Sequence, residues 1–93
     1  PIFIKVNITL IMTKDDIKKR LNKKFDKDVI EVRDMTNQSN HFSVLVISNQ
    51  FNKLSLIKRH QIIYSLFKDE LTNEIHALQI NTYTHSEWKE KNI

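Results

Sequence analysis

Not one of the 93 residues is glycine. Glycine is the residue that enters left-handed backbone at no steric cost and lets a main chain approach a ligand closely. Every tight turn in this chain must therefore be made by residues with a Cβ. Whole classes of site are excluded at the same stroke: no P-loop, dinucleotide fingerprint or Gly-x-x-Gly nucleic-acid clamp can be written in this sequence.

Cysteine is absent as well, which removes disulfides, thiolate nucleophiles and any self-sufficient cysteine site for zinc or an iron-sulfur cluster. Four histidines, His41, His60, His76 and His85, are then the whole inventory of soft nitrogen ligands. None forms a helical His-x-x-x-His pair or a His-Glu-x-x-His site. Fifteen Lys and Arg against eleven Asp and Glu leave a net charge of +4, a basic excess that permits acidic or nucleic-acid partners without demanding them. No carboxylate pair, activated nucleophile or substrate-gripping motif is present, and the chain reads as a non-enzyme.

The length bounds the chain to one domain with a modest core. Residues 1–11 are an apolar run broken by Lys5 and Asn7, too short to span a bilayer and without the marks of a secretory signal, and are expected to be a disordered tail. The domain is expected to occupy 12–93. Met12 would suit an initiator. With that start no transit-like segment remains, so the cytoplasm is expected, with a mitochondrion or plastid as the alternative.

Thr13 to Asp16 has the form of a capping box, and Ile17, Leu21 and Phe25 follow at a spacing of four, predicting a first helix with one apolar stripe amid lysines. Alternation predicts a strand from Val29 to about Asp34. A polar loop, 35–41, precedes a buried strand from Phe42 to Ser48. Ser55 can cap a second helix running to about Leu71, with Ile62, Ile63, Leu66 and Phe67 on its apolar face. A third strand is expected from His76 to Tyr83, then a capping box at Thr84 to Glu87 and a short last helix. The order α-β-β-α-β-α implies an α+β fold: a three-stranded mixed sheet with helices packed on one face.

Three segments in the C-terminal half, Arg59-His60-Gln61-Ile62-Ile63-Tyr64, Glu74-Ile75-His76-Ala77-Leu78 and Thr82 to Trp88, together with Phe42 to Ser48 and Phe51 to Ser55, resemble the BolA family. The resemblance runs from roughly Met12 to Lys89. It implies a fold similar to type II KH domains, a chain that is monomeric alone, and pairing with a monothiol glutaredoxin around a glutathione-containing 2Fe-2S cluster that the isolated chain does not bind. It further implies His76 as a cluster ligand, with His41 as the candidate second ligand. Exchanging a thiolate for a neutral imidazole removes negative charge from a cluster, raises its potential, and makes the bond sensitive to protonation near the ordinary histidine value, roughly pH 6 to 7.

Departures from the family pattern accompany these matches. The Phe-x-Gly turn reads Phe51-Asn52-Lys53, and His85 stands where proline is usual. His60 is expected in a structural role, hydrogen-bonded at the core edge. Trp88 with Tyr83 is expected to close the apolar edge of the sheet. The alternative function is a KH-like nucleic-acid-binding regulator, with Lys53, Lys58 and Arg59 as its candidate contacts.

Overall fold

The structure is a computed structural model that describes residues 12–36, 41–70 and 77–92. Its elements are α1 (Lys14–Lys24), β1 (Val29–Asp34), β2 (His41–Ile47), a single 3-10 turn (Asn49–Phe51), α2 (Leu56–Phe67), β3 (Ala77–Tyr83) and α3 (His85–Lys91). The sheet order is β1-β2-β3, antiparallel between β1 and β2 and parallel between β2 and β3, with α2 as the crossover. This is the α+β arrangement that the pattern predicts. The expected tail, 1–11, lies outside the described residues.

Local chemistry explains each boundary. Thr13 accepts from the Asp16 N–H while the Asp16 carboxylate accepts from the Thr13 N–H, so α1 opens on a complete capping box. Those hydrogen bonds also hold the Asp16 carboxyl below the usual carboxylate range. Ser48 ends β2 by accepting from the Gln50 N–H, and Ser55 opens α2 by accepting from the Lys58 N–H. A second complete box, Thr84 with Glu87, opens α3.

Strand alternation sorts the sheet into two faces. Ile30 and Val32, then Phe42, Val44 and Val46, then Leu78, Ile80 and Thr82 turn toward α1 and α2. They meet Ile17, Leu21 and Phe25 from the first helical stripe and Ile63 and Phe67 from α2, all fully buried. Each buried phenylalanine contributes up to about 3 kcal/mol. Phe25 and Phe51 pack with ring centroids 5.4 Å apart, tying the end of α1 to the 3-10 turn.

Three boundaries differ from expectation. Helix α2 ends at Phe67 rather than near Leu71, because Lys68, Asp69 and Glu70 offer nothing apolar to bury and Glu70 turns back to accept from Arg20 Nη1 at 2.6 Å. Arg20 also donates to the Leu66 carbonyl at 3.0 Å and lies over the Phe67 ring, so it closes the α1 to α2 contact. Strand β2 begins one residue earlier than expected, at His41, whose carbonyl accepts from the Met35 N–H at 2.7 Å and so extends the ladder with β1. It also ends one residue earlier, because Ser48 is spent on the cap.

The absence of glycine has a visible cost. Lys27, between α1 and β1, and Lys53, in the turn before α2, adopt φ of 71° and 64°. Left-handed backbone costs an L-residue with a Cβ about 1–2 kcal/mol. Lys53 thus takes the backbone conformation that glycine provides at this turn, and the turn is kept at a steric cost. Relief of that cost exceeds the unfolded-state entropy that glycine adds, about 0.4–1 kcal/mol. Lys27→Gly and Lys53→Gly should each stabilise the fold by about 0.5–1 kcal/mol in urea unfolding. An unchanged or lowered midpoint would show that neither turn is strained.

Candidate functional site

Strand β2 carries His41 at its first position, half-buried and in phase with Ser43 and Leu45, so it belongs to the face turned away from α1 and α2. In the parallel ladder the Cα partner of His41 is Ala77, the first residue of β3. His76, the residue directly before Ala77 in sequence, lies outside the described residues, as does the expected start of β3 there. The register aligns two segments more than thirty positions apart so that His41 sits opposite the residue that follows His76. Among the described residues no group of three or more His, Cys, Asp and Glu side chains could hold a metal ion.

The other histidines are placed by structure. His60 is half-buried on α2, and its side chain makes no hydrogen bond to another described residue, unlike the hydrogen-bonded role expected of it. His85 occupies the first turn of α3, its N–H donating to Asn49 Oδ1 at 3.4 Å and its Nε2 3.7 Å from Asp28 Oδ1.

Of the three basic residues expected to touch nucleic acid, one is withdrawn by the structure. Arg59 is buried at 8% exposure, and all three guanidinium nitrogens are engaged: Nε donates to the Leu54 carbonyl at 3.0 Å, Nη1 to Glu87 Oε1 at 2.7 Å, Nη2 to Glu87 Oε2 at 3.0 Å. It also lies 5.8 Å from the Phe51 ring centroid. Sequence gave Arg59 the look of a free cation in a basic stretch, but the turn at 51–54 folds back beneath it. Lys53 and Lys58 remain exposed.

Glu87 therefore serves two purposes, accepting from Arg59 and, through Oε1, from the Thr84 N–H at 2.8 Å. The Arg59 hydrogen bond, followed by the Thr84 N–H, pulls its pKa down to about 2. A carboxyl depressed in the folded state stabilises above its unfolded value and loses that contribution as pH falls toward the folded value. Between about pH 5 and pH 2 the wild-type chain should lose stability, and Glu87→Gln should flatten that slope in thermal melts across the window. The carboxylate is half-exposed, which reduces its share of the effect by solvent screening. Arg59→Met, which leaves Glu87 without its partner, should cost about 2 kcal/mol.

Two surfaces were not legible as sites. On α2, Leu56 at 59%, Ile57 at 71% and Tyr64 at 42% exposure are large side chains open to solvent, with the Tyr64 hydroxyl donating to the Leu78 carbonyl at 3.5 Å near the start of β3. On the open face of the sheet, Trp88 of α3 and Tyr83 pack edge to face, centroids 5.2 Å apart, as expected of a pair closing the sheet edge. They also wall a groove of about 240 Å³ whose floor and rim come from Glu31, Arg33, Ser43, Leu45 and Asn81. Alternating Glu31 and Arg33 had the pattern of a solvated strand face, and nothing in the spacing announces that Trp88 comes to stand beside it.

A three-stranded mixed sheet with one helical crossover and helices on one face defines a small α+β domain. Residues 17–87 match the family model described as BolA-like protein, and the chain belongs to the BolA family. It is 39% identical over 88 residues to the DNA-binding transcriptional regulator BolA of Vibrio cholerae, covering 87% of this chain and 83% of that one. It is 33% identical to the protein of the same name from Escherichia coli, covering 85% and 82%. The BolA domain of SufE1 from Arabidopsis thaliana superposes with a TM-score of 0.73 at 33% identity, over 89% of this chain and 99% of that domain. No helix among the described residues is long and apolar enough to cross a membrane.

Proposed function

We propose that the chain is a non-enzymatic adaptor that binds a monothiol glutaredoxin and co-ligates a glutathione-containing 2Fe-2S cluster, in iron-sulfur cluster trafficking or iron regulation. The observation that carries this reading is the β2–β3 register, which sets His41 opposite Ala77, the neighbour of His76. His41 and His76 could supply half of a cluster's ligand set at most. With no cysteine in the sequence, thiolate ligands must come from the partner and from glutathione. The donor chemistry thus fits a shared cluster and not one owned by this chain. The exposed Leu56, Ile57 and Tyr64 supply apolar area for a protein partner, and the Tyr64 hydroxyl reaches the Leu78 carbonyl near the start of β3.

The test is visible absorption and circular dichroism of this chain mixed with a monothiol glutaredoxin, glutathione, ferrous iron and sulfide. A heterodimer spectrum distinct from that of the glutaredoxin homodimer is expected, and His76→Ala should abolish it. His41→Ala should shift the spectrum and shorten the cluster lifetime. An identical heterodimer spectrum from the His76→Ala chain would overturn the ligand assignment.

A second reading, a nucleic-acid-binding regulator, is favoured by the names of the Vibrio cholerae and Escherichia coli relatives, both DNA-binding transcriptional regulators. The basic excess is compatible with phosphate contacts. With Arg59 committed to Glu87, Lys53 and Lys58 are what α2 and its preceding turn can offer such a ligand.

A further inference from the structure

We propose that the groove on the open face of the sheet holds one unstacked base of a single-stranded nucleic acid against Trp88, with Glu31 and Asn81 reading the base edge and Arg33 meeting the backbone phosphate. The inference rests on the nucleic-acid reading and moves its surface from α2 to the sheet.

The groove has the three ingredients of base capture. Trp88 and Tyr83 form an aromatic wall, both half-buried and so already held in place, and Lys91 brings a cation within 5.7 Å of the Tyr83 ring centroid. Stacking on such a wall is tolerant of sequence because every base has a π face. Its volume of about 240 Å³ lies below the roughly 300 Å³ at which drug-sized pockets begin, room for a planar ring rather than a duplex.

The polar groups are oriented and available. Asn81 Nδ2 donates to the Val44 carbonyl at 3.3 Å and to Ser43 Oγ at 3.5 Å, which fixes the amide and leaves its Oδ1 as an acceptor. Glu31 and Arg33 are both exposed, stand two residues apart on the same face of β1, and neither is in an ion pair among the described residues. Glu31 and Asn81 flank Leu45 in the sheet register, so a carboxylate and an amide oxygen face the groove from its two sides and accept from a base edge rich in N–H donors. Guanine presents N1–H and the N2 amino group, and adenine its N6 amino group. Thymine offers a single N3–H between two carbonyls and suits the pair poorly. Beyond Glu31, a second groove around the β1 edge is lined by Lys14, Asp15, Lys18, Glu31 and Val32, its two cations set against two carboxylates, so Arg33 is the phosphate contact this proposal relies on.

The experiment is fluorescence anisotropy with the full chain and two labelled single strands of six nucleotides, one alternating dA and dG, the other all dT. The purine strand should bind at least fivefold more tightly. Trp88→Ala should weaken it tenfold or more, and Arg33→Ala should weaken it severalfold and reduce the slope of log K against log salt by about one. Glu31→Gln should erase the preference for purine over dT. Glu31 and Arg33 are solvent-exposed, so those variants keep their fold, to be checked by melting, and decide the matter should Trp88→Ala fail to fold. Equal affinity for the two strands would overturn the proposal. So would purine binding indifferent to all three substitutions, while leaving nucleic-acid binding through another surface intact. Absence of any binding by the wild-type chain would remove this proposal and the nucleic-acid reading together, without touching the glutaredoxin reading.

Discussion

Arg59 is the point on which the C-terminal half is assembled. Its guanidinium joins the turn before α2, through the Leu54 carbonyl, to α3, through both oxygens of Glu87, and packs beside Phe51, which is itself part of the core. Burying an arginine is costly unless its nitrogens are hydrogen-bonded and the counter-charge is fixed. Here each of the three nitrogens makes a hydrogen bond, and Glu87 is held by its own capping box with Thr84. Without this anchor α3 would be a seven-residue helix with no buried residue of its own, far short of the length at which an isolated helix persists. The Tyr83–Trp88 wall, and the groove beside it, depend on α3 being held there.

The N-terminal half is secured differently. Helix α1 buries Ile17 and Leu21 directly over the sheet, and Arg20 plays for the α1 to α2 contact the part that Arg59 plays for α3, joining a carbonyl, a carboxylate and an aromatic ring. One cation is nearly buried and the other is about one-third exposed, so the two pairs do not contribute alike. The central strand β2 connects these halves. Its helix-facing residues Phe42, Val44 and Val46 make the core continuous, and its other side carries His41, Ser43 and Leu45.

Sequence pattern carried the architecture because the period of hydrophobic residues is the cause of the layers. Ile17, Leu21 and Phe25 at a spacing of four, and the alternation through Leu78, Ile80 and Thr82, can bury their apolar groups in one arrangement each. Both capping boxes were legible for the same reason: they are local, within three residues. Arg59 was misread because its partners are nonlocal. Glu87 is 28 positions away, and a basic residue beside Lys58 has no sequence mark that separates a buried anchor from a phosphate contact. The groove at Trp88 was hidden likewise, since it needs β1, β2, β3 and α3 together. Lys53 shows the opposite case, in which a turn of the left-handed kind that glycine favours is made by a residue with a Cβ.

The two faces of β2 also divide what this scaffold can change cheaply. Doubling the length of the connection between β1 and β2 adds only about 0.6 kcal/mol of closure entropy, so residues 35–40 can lengthen, shorten or exchange their chemistry with small thermodynamic effect. From His41 onward the opposite holds. A slip of one residue against β3 would send Phe42, Val44 and Val46 to the open side and bring His41, Ser43 and Leu45 against the helices. A change of length in that connection is thermodynamically cheap, whereas the histidine is locked in step with the core.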